Sequence, residues 1–192
     1  MQRNMFLKVS LLSSSLLLKP FTILAKYRPF RRVTKGIHVK SGNDRFDKPI
    51  SPFDGETFYT KISSKDTDGD LFAFESTRLK GGGPPLHYHF EQDEYWYILK
   101  GEFLFKIGDE TFKAVAGDTI FGPRNVPHTF AKTGEGEGKI LMWFQPAGKM
   151  EELFQKISNG QTKGMTEEQQ DKFREEHGFR RVGPPLTYSK QW

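Results

Sequence analysis

The sequence predicts an all-β fold, an antiparallel sandwich or barrel, with helices at its C-terminal end. Three observations carry this. Short apolar segments recur between tight turns, as 19 Gly and 11 Pro in 192 residues allow. GEFLFKI (101–107) puts Phe103, Phe105 and Ile107 on one face and Glu102, Leu104 and Lys106 on the other, the period of two of a half-buried strand. Late in the chain the period changes: Met150, Leu153, Phe154 and Ile157 form an i, i+3, i+4, i+7 helical stripe. The length suits one domain, and 18 Phe supply ample surface for its core.

The elements follow in order. MQRNMFLK is a short cationic start, VSLLSSSLLL an apolar run, and Ala25 a cleavage point, so residues 1–25 are expected to be a bacterial-type signal peptide and the protein to be exported, with a disordered or packed N-terminal tail on a cytoplasmic protein as the alternative. The apolar run is shorter than the ~20 residues that span a bilayer, and no membrane anchor is expected in the mature protein. Residues 26–49 read as an N-terminal arm, 50–146 as the β body and 147–192 as a helical extension. FYTKI (58–62) alternates weakly, Asp68-Gly69 is a hairpin signal, and LFAFESTRL (71–79) is a strand. GGGPP (81–85) breaks the chain. Residues 94–123 then read as three strands joined by Lys-Gly and Gly-Asp turns, KTGEGEGK (132–139) as a polar loop, and ILMWF (140–144) as an apolar strand. Thr166 and Gln169 form a capping box for a second helix, Gly178 stops it, and GPPL (183–186) ends the regular structure.

Charge excludes some functions. The formal +5 is concentrated at the start: the first 25 residues carry Arg3, Lys8 and Lys19 and no acid, leaving 26 basic and 24 acidic residues. Arg28, Arg31, Arg32 and Lys35 read as a solvated arm, and nucleic acid is not expected as a partner. With no cysteine there is no disulfide, thiolate site, cysteine nucleophile or lipidated cysteine.

Candidate chemistry lies in HYHFEQDE (87–94). On a strand His87 and His89 project from one face, and Glu94 follows after enough chain for a bend. His128, on a turn stiffened by Pro123 and Pro127, is the available fourth donor. Three imidazoles and one carboxylate suit a divalent transition metal, Fe, Mn, Ni, Co, Cu or Zn. Satisfied core or surface histidines are the bland alternative. The spacing as a whole says more. Gly81-x5-His87-x-His89-x4-Glu94-x6-Gly101 resembles the first cupin motif, and after 15 residues Gly117-x5-Pro123-x-Asn125-x2-His128 resembles the second. Asn125 stands where that family usually has Gly, and Lys132 where it often has Asn. Asn tolerates a left-handed backbone, so the first departure is mild.

The resemblance implies a jelly-roll barrel with His87, His89, Glu94 and His128 as metal ligands. GPPLHYHFEQDEYWYILKGEFLFKIGDE, PAGKMEELFQKI and GFRRVGPPL further resemble single-domain cupins grouped with quercetin dioxygenases. That implies a dioxygenase acting on a phenolic, flavonol-like or enol-type small molecule, with Glu94 as general base. A metal-dependent isomerase or lyase and a non-catalytic binding module are the alternatives. Strand parity from the ligands assigns Trp96, Ile98, Phe103, Phe105, Phe130 and Trp143 to the substrate pocket, with Arg124 at its mouth. His38 and His177 are expected at the surface, Glu91, Gln92 and Asp93 in a solvated loop, and the C-terminal helices over the barrel or in a homodimer interface.

Overall fold

The computed structural model describes residues 32–188, so the expected signal peptide, Arg28 and Arg31 lie outside the described residues. Two five-stranded antiparallel sheets face each other. Strands β1 (Glu56–Ile62), β2 (Phe72–Arg78), β3 (Pro85–His89), β4 (Asp93–Lys100) and β5 (Glu102–Ile107) are followed by β6 (Glu110–Val115), β7 (Thr119–Gly122), β8 (His128–Lys132) and β9 (Gly138–Gln145). Helices α1 (Met150–Ser158) and α2 (Glu167–Glu176) precede a last strand, β10 (Phe179–Pro185). The first sheet has the order β1-β2-β9-β4-β7 and the second β10-β3-β8-β5-β6, a jelly roll. No helix among the described residues is long and apolar enough to cross a membrane.

Alternation places the core between the sheets. On β4, Glu94, Trp96 and Ile98 point inwards and are buried, while Tyr97 and Leu99 are exposed. Their antiparallel partners on β9 are Phe144, Met142 and Ile140, also buried. Phe103, Phe105 and Phe130 face them from the second sheet with essentially no exposure. Phe105 and Phe130 stack at 5.3 Å, and Trp96 meets Phe105 edge-on at 5.4 Å, geometries that aromatic quadrupoles favour.

Two backbone positions explain sequence features near the later site. A Cβ on Gly83 would sit 1.7 Å from the Phe130 carbonyl oxygen, so the GGGPP segment needs glycine there to approach β8. Asn125 adopts φ 61°, the left-handed conformation that this residue type tolerates.

The C-terminal segment differs from a purely helical extension. α1 closes one end of the barrel: Met150, Leu153 and Phe154 are buried, and Phe154 packs edge-on against Phe58 and Phe74 at 5.1 and 5.4 Å. The Thr166–Gln169 capping box forms as expected. After α2 and Gly178 (φ 99°), however, the chain returns as β10 and pairs with β3, Phe179 opposite His89 and Arg181 opposite His87. GPPL therefore begins inside the last strand. This strand covers the edge of β3 that would otherwise be open. Asp68-Gly69 also departs from a two-residue hairpin: Asp68 (φ 55°) closes the 3-10 turn Ser64–Thr67 within a longer β1–β2 connection.

Candidate metal centre

β3 and β8 are neighbours, with His87 directly opposite His128. Residues opposite each other in an antiparallel pair share a face, and His89 shares the face of His87 two residues on. The second sheet thus presents three imidazoles inwards, and β4 brings Glu94 to them from the first sheet. One ligand atom from each of the four residues lies within 4.8 Å of the others, and all four residues are buried. Glu94 Oε2 is 3.0 Å from His89 Nε2, 3.2 Å from His128 Nε2 and 4.0 Å from His87 Nε2.

Hydrogen bonds on the far side of two rings decide what this cluster can do. His87 Nδ1 is 2.7 Å from the Pro85 carbonyl oxygen and His128 Nδ1 is 2.9 Å from that of Val126. A carbonyl only accepts, so both Nδ1 atoms are protonated and donate. In the neutral ring the Nε2 atoms then carry lone pairs directed at Glu94. The charged form of His87 is disfavoured: burial, then the neighbouring rings of His128 and His89, holds it well below the ordinary histidine pKa. Burial lowers His89 as well. Burial would push Glu94 up, whereas a ring N–H or positive charge facing it from His128 or His89 pulls it down, to about 2. With His87 and His128 neutral and protonated at Nδ1, Glu94 instead faces imidazole lone pairs in a dry site, an arrangement that a shared cation reconciles. His89 Nδ1, buried and without a partner, leaves that ring free to take either tautomer. These donors fit a divalent transition metal ion, with three nitrogens and one oxygen.

The cluster opens into a cavity of about 470 Å³, within the range of small-molecule sites. Its walls include Phe58, Phe130, Met142 and Phe144 from the barrel, Leu153 and Phe154 from α1, and Phe173 and Phe179 from the later segment. Of the residues assigned to the pocket by parity, Phe130 lines it. Trp96, Ile98, Phe103 and Phe105 instead lie in the fully buried core, with Trp96 edge-on to His128 at 5.4 Å. Trp143 is on the opposite face of β9, stacked on Tyr95 at 5.2 Å, because its partner in the register is Tyr95 and not Glu94. Arg124 does not line the cavity; it chelates Asp93 at 3.0 and 2.7 Å, and its backbone N–H donates to the same carboxylate at 2.9 Å.

Two further expectations need correction. His177 is buried, not at the surface: Nδ1 lies 2.6 Å from the Phe173 carbonyl, and Lys156 Nζ approaches Nε2 at 3.2 Å, tying the end of α2 to α1. Gln92 is buried rather than solvated, against Gly148 and Gly178, where any Cβ would collide with its amide. The residues missed were Arg78 and Glu56, an ion pair at 2.7 Å in the cavity wall between a buried arginine and a partly buried glutamate. Parity would have found Arg78, since it follows Phe72, Phe74 and Ser76 along the inward face of β2.

Comparison with known proteins agrees with this geometry. The family profile described as a cupin domain matches residues 68–144, the stretch holding all four clustered residues. Residues 68–144 are a cupin domain. An uncharacterised protein of Methanocaldococcus jannaschii is 38% identical over 61 residues, covering 32% of this chain and 49% of that protein. The match thus spans about half the length of that curated relative. KdgF from a Halomonas species is similar in fold, with a TM-score of 0.50 and 18% identity, covering 59% of this chain and 94% of its own. An RmlC-like cupin from Shewanella frigidimarina is similar at 0.48 and 19% identity, covering 59% and 93%.

Proposed function

We propose that this cupin is a metal-dependent dioxygenase acting on a small, flat phenolic or enol-type molecule. The observation that carries this reading is that His87, His89 and Glu94 of the four-residue cluster open into a cavity whose wall is largely apolar and rich in Phe. A divalent transition metal held by these four residues would supply Lewis acidity towards a substrate oxygen and a position for dioxygen. The protein's own contribution is binding, exclusion of water and a proton acceptor. Phe130 and Phe144 contribute to the apolar wall against which a planar substrate would lie, and α1 closes the cavity on one side. A carboxylate is a weak base beside a phenol near ~10, so Glu94 takes the hydroxyl proton only when that hydroxyl is acidified.

Oxygen-electrode assays of the metal-loaded protein with flavonols and 1,3-dicarbonyl enols test this. Dioxygen uptake matched to substrate loss, absent in His87→Ala, is the expected outcome. Turnover at an undiminished rate without oxygen would eliminate a dioxygenase. It would favour isomerase or lyase chemistry, a reading for which the polar Arg78–Glu56 pair in the cavity wall speaks.

We also propose a homodimer, with a second copy of the chain seated on the outer face of β4, β7 and β9. There Trp143, Tyr95 and Phe121 form a continuous aromatic ladder beside Tyr97 and Leu99, with Phe121 48% exposed. A two-fold dimer sets the same patch of each copy against the other, and an uncharged aromatic ladder brings no like charges together there. Sedimentation velocity is expected to give twice the chain mass, and Phe121→Asp to give the monomer; a monomeric wild type at micromolar concentration would refute it.

A further inference from the structure

Opposite the imidazoles, the cavity wall holds a group that the metal reading does not use. Arg78 is 3% exposed, and its guanidinium lies over the Phe130 ring at 4.5 Å, two residues along β8 from His128. Nη1 donates to Glu56 Oε1 at 2.7 Å. The pair is not saturated: Arg78 Nε and Glu56 Oε2 are both buried without a partner. A buried guanidinium with an unused N–H is costly unless something completes it.

Charge in the cavity points the same way. Arg174, also in the cavity lining, shares Asp171 with Arg181, which meets Glu167 as well, so these two arginines and two acids cancel in the balance. With a divalent cation in place, the cation and Arg78 outweigh Glu94 and Glu56 by a single positive charge. A ligand bearing one negative group would neutralise it. Burial weakens the charged form of Arg78, while Glu56 and Glu94 both sustain it, so the guanidinium is within electrostatic reach of the metal-site carboxylate.

We propose that Arg78 receives the carboxylate of a mostly apolar, monoanionic aromatic or unsaturated acid, whose body packs on Phe130 and Phe144. Glu56 holds the guanidinium in place through Nη1 and leaves its remaining donors to the ligand. This rests on the metal-dependent reading above and narrows its substrate class to acids.

Calorimetric titration of the metal-loaded protein with trans-cinnamate and trans-cinnamamide tests the assignment, with metal content measured in each sample. Wild type is expected to bind the acid at least about tenfold more tightly than the amide, the scale of a charge-assisted hydrogen bond. In Glu56→Gln, which frees Arg78 of its counter-charge, cinnamate should tighten several-fold while cinnamamide is unchanged. In the double variant Arg78→Met/Glu56→Gln the preference should collapse to about twofold or less. Equal binding of acid and amide to wild type refutes the subsite. So does a preference that survives the double variant, which would place the acid on the metal. A wild type that takes up no metal refutes the metal reading, whereas a full metal complement without acid preference refutes the Arg78 subsite alone.

Discussion

In His128→Ala, metal content is expected to fall from about one ion per chain to near zero, because removing one of four donors from a buried set cannot be made good by water alone. His128 is the cross-strand partner of His87, and its Nε2 stands 3.2 Å from Glu94 Oε2, so its loss opens the side of the cluster facing β8. The fold should survive. β8 keeps its pairing with β5, and the void beside Trp96 costs about 2 kcal/mol or more, a fraction of a domain's stability. Elemental analysis reads the metal directly, and thermal melting gives a second readout. Added metal should raise the midpoint of wild type by mass action and leave that of the variant unmoved. His177→Gln is the control. That ring is equally buried, at 2% exposed, but is spent on Phe173 and Lys156, so metal binding should be unchanged. Metal retained at full stoichiometry in His128→Ala would remove His128 from the ligand set.

How far the sequence could be read depended on what each residue's position required. The half-site on β3 was legible because His-x-His on a strand shares a face whatever the rest of the chain does. His128 was found through the spacing of two motifs, and Asn125 does adopt the backbone conformation read for it. Trp143 was misplaced for a specific reason. Parity holds along one strand, but carrying it from β4 to β9 needs the register, and Glu94 lies opposite Phe144. β10 was missed because Phe179–Pro185 is a half-exposed edge strand, mixed in polarity and ending in prolines, which reads as a terminus. His177 and Gln92 are buried by tertiary contacts with α1 and with two glycines of the C-terminal segment, contacts that no local pattern announces. Arg78 and Glu56 were hidden by their chemistry: an arginine ending an apolar strand is usually solvated, and only the inward run Phe72, Phe74, Ser76 contradicts that.

Arg78→Met alone is expected to destabilise the protein by about 3 kcal/mol or more, since it strands Glu56 as an unpaired carboxylate in the cavity wall. The cation–π contact with Phe130 is lost too, roughly 1–2 kcal/mol at a desolvated site. Adding Glu56→Gln removes the stranded charge, so the double variant should recover most of the first loss and keep only the second. This reversal separates a charge effect from a packing defect, because a packing defect would persist in both variants. The pH dependence sharpens the test. Burial already raises the Glu56 pKa and Arg78 pulls it back, so deleting Arg78 lets it climb further above the unfolded value of 4.5. An acid whose folded pKa is raised binds more protons folded than unfolded, and stability then falls as pH rises through that window. Urea unfolding should show a smaller deficit for Arg78→Met at pH 5 than at pH 8, and no such difference in the double variant. Equal deficits at both pH values would mean that Glu56 is not the group Arg78 neutralises, and the charge balance assigned to the cavity would have to be redrawn.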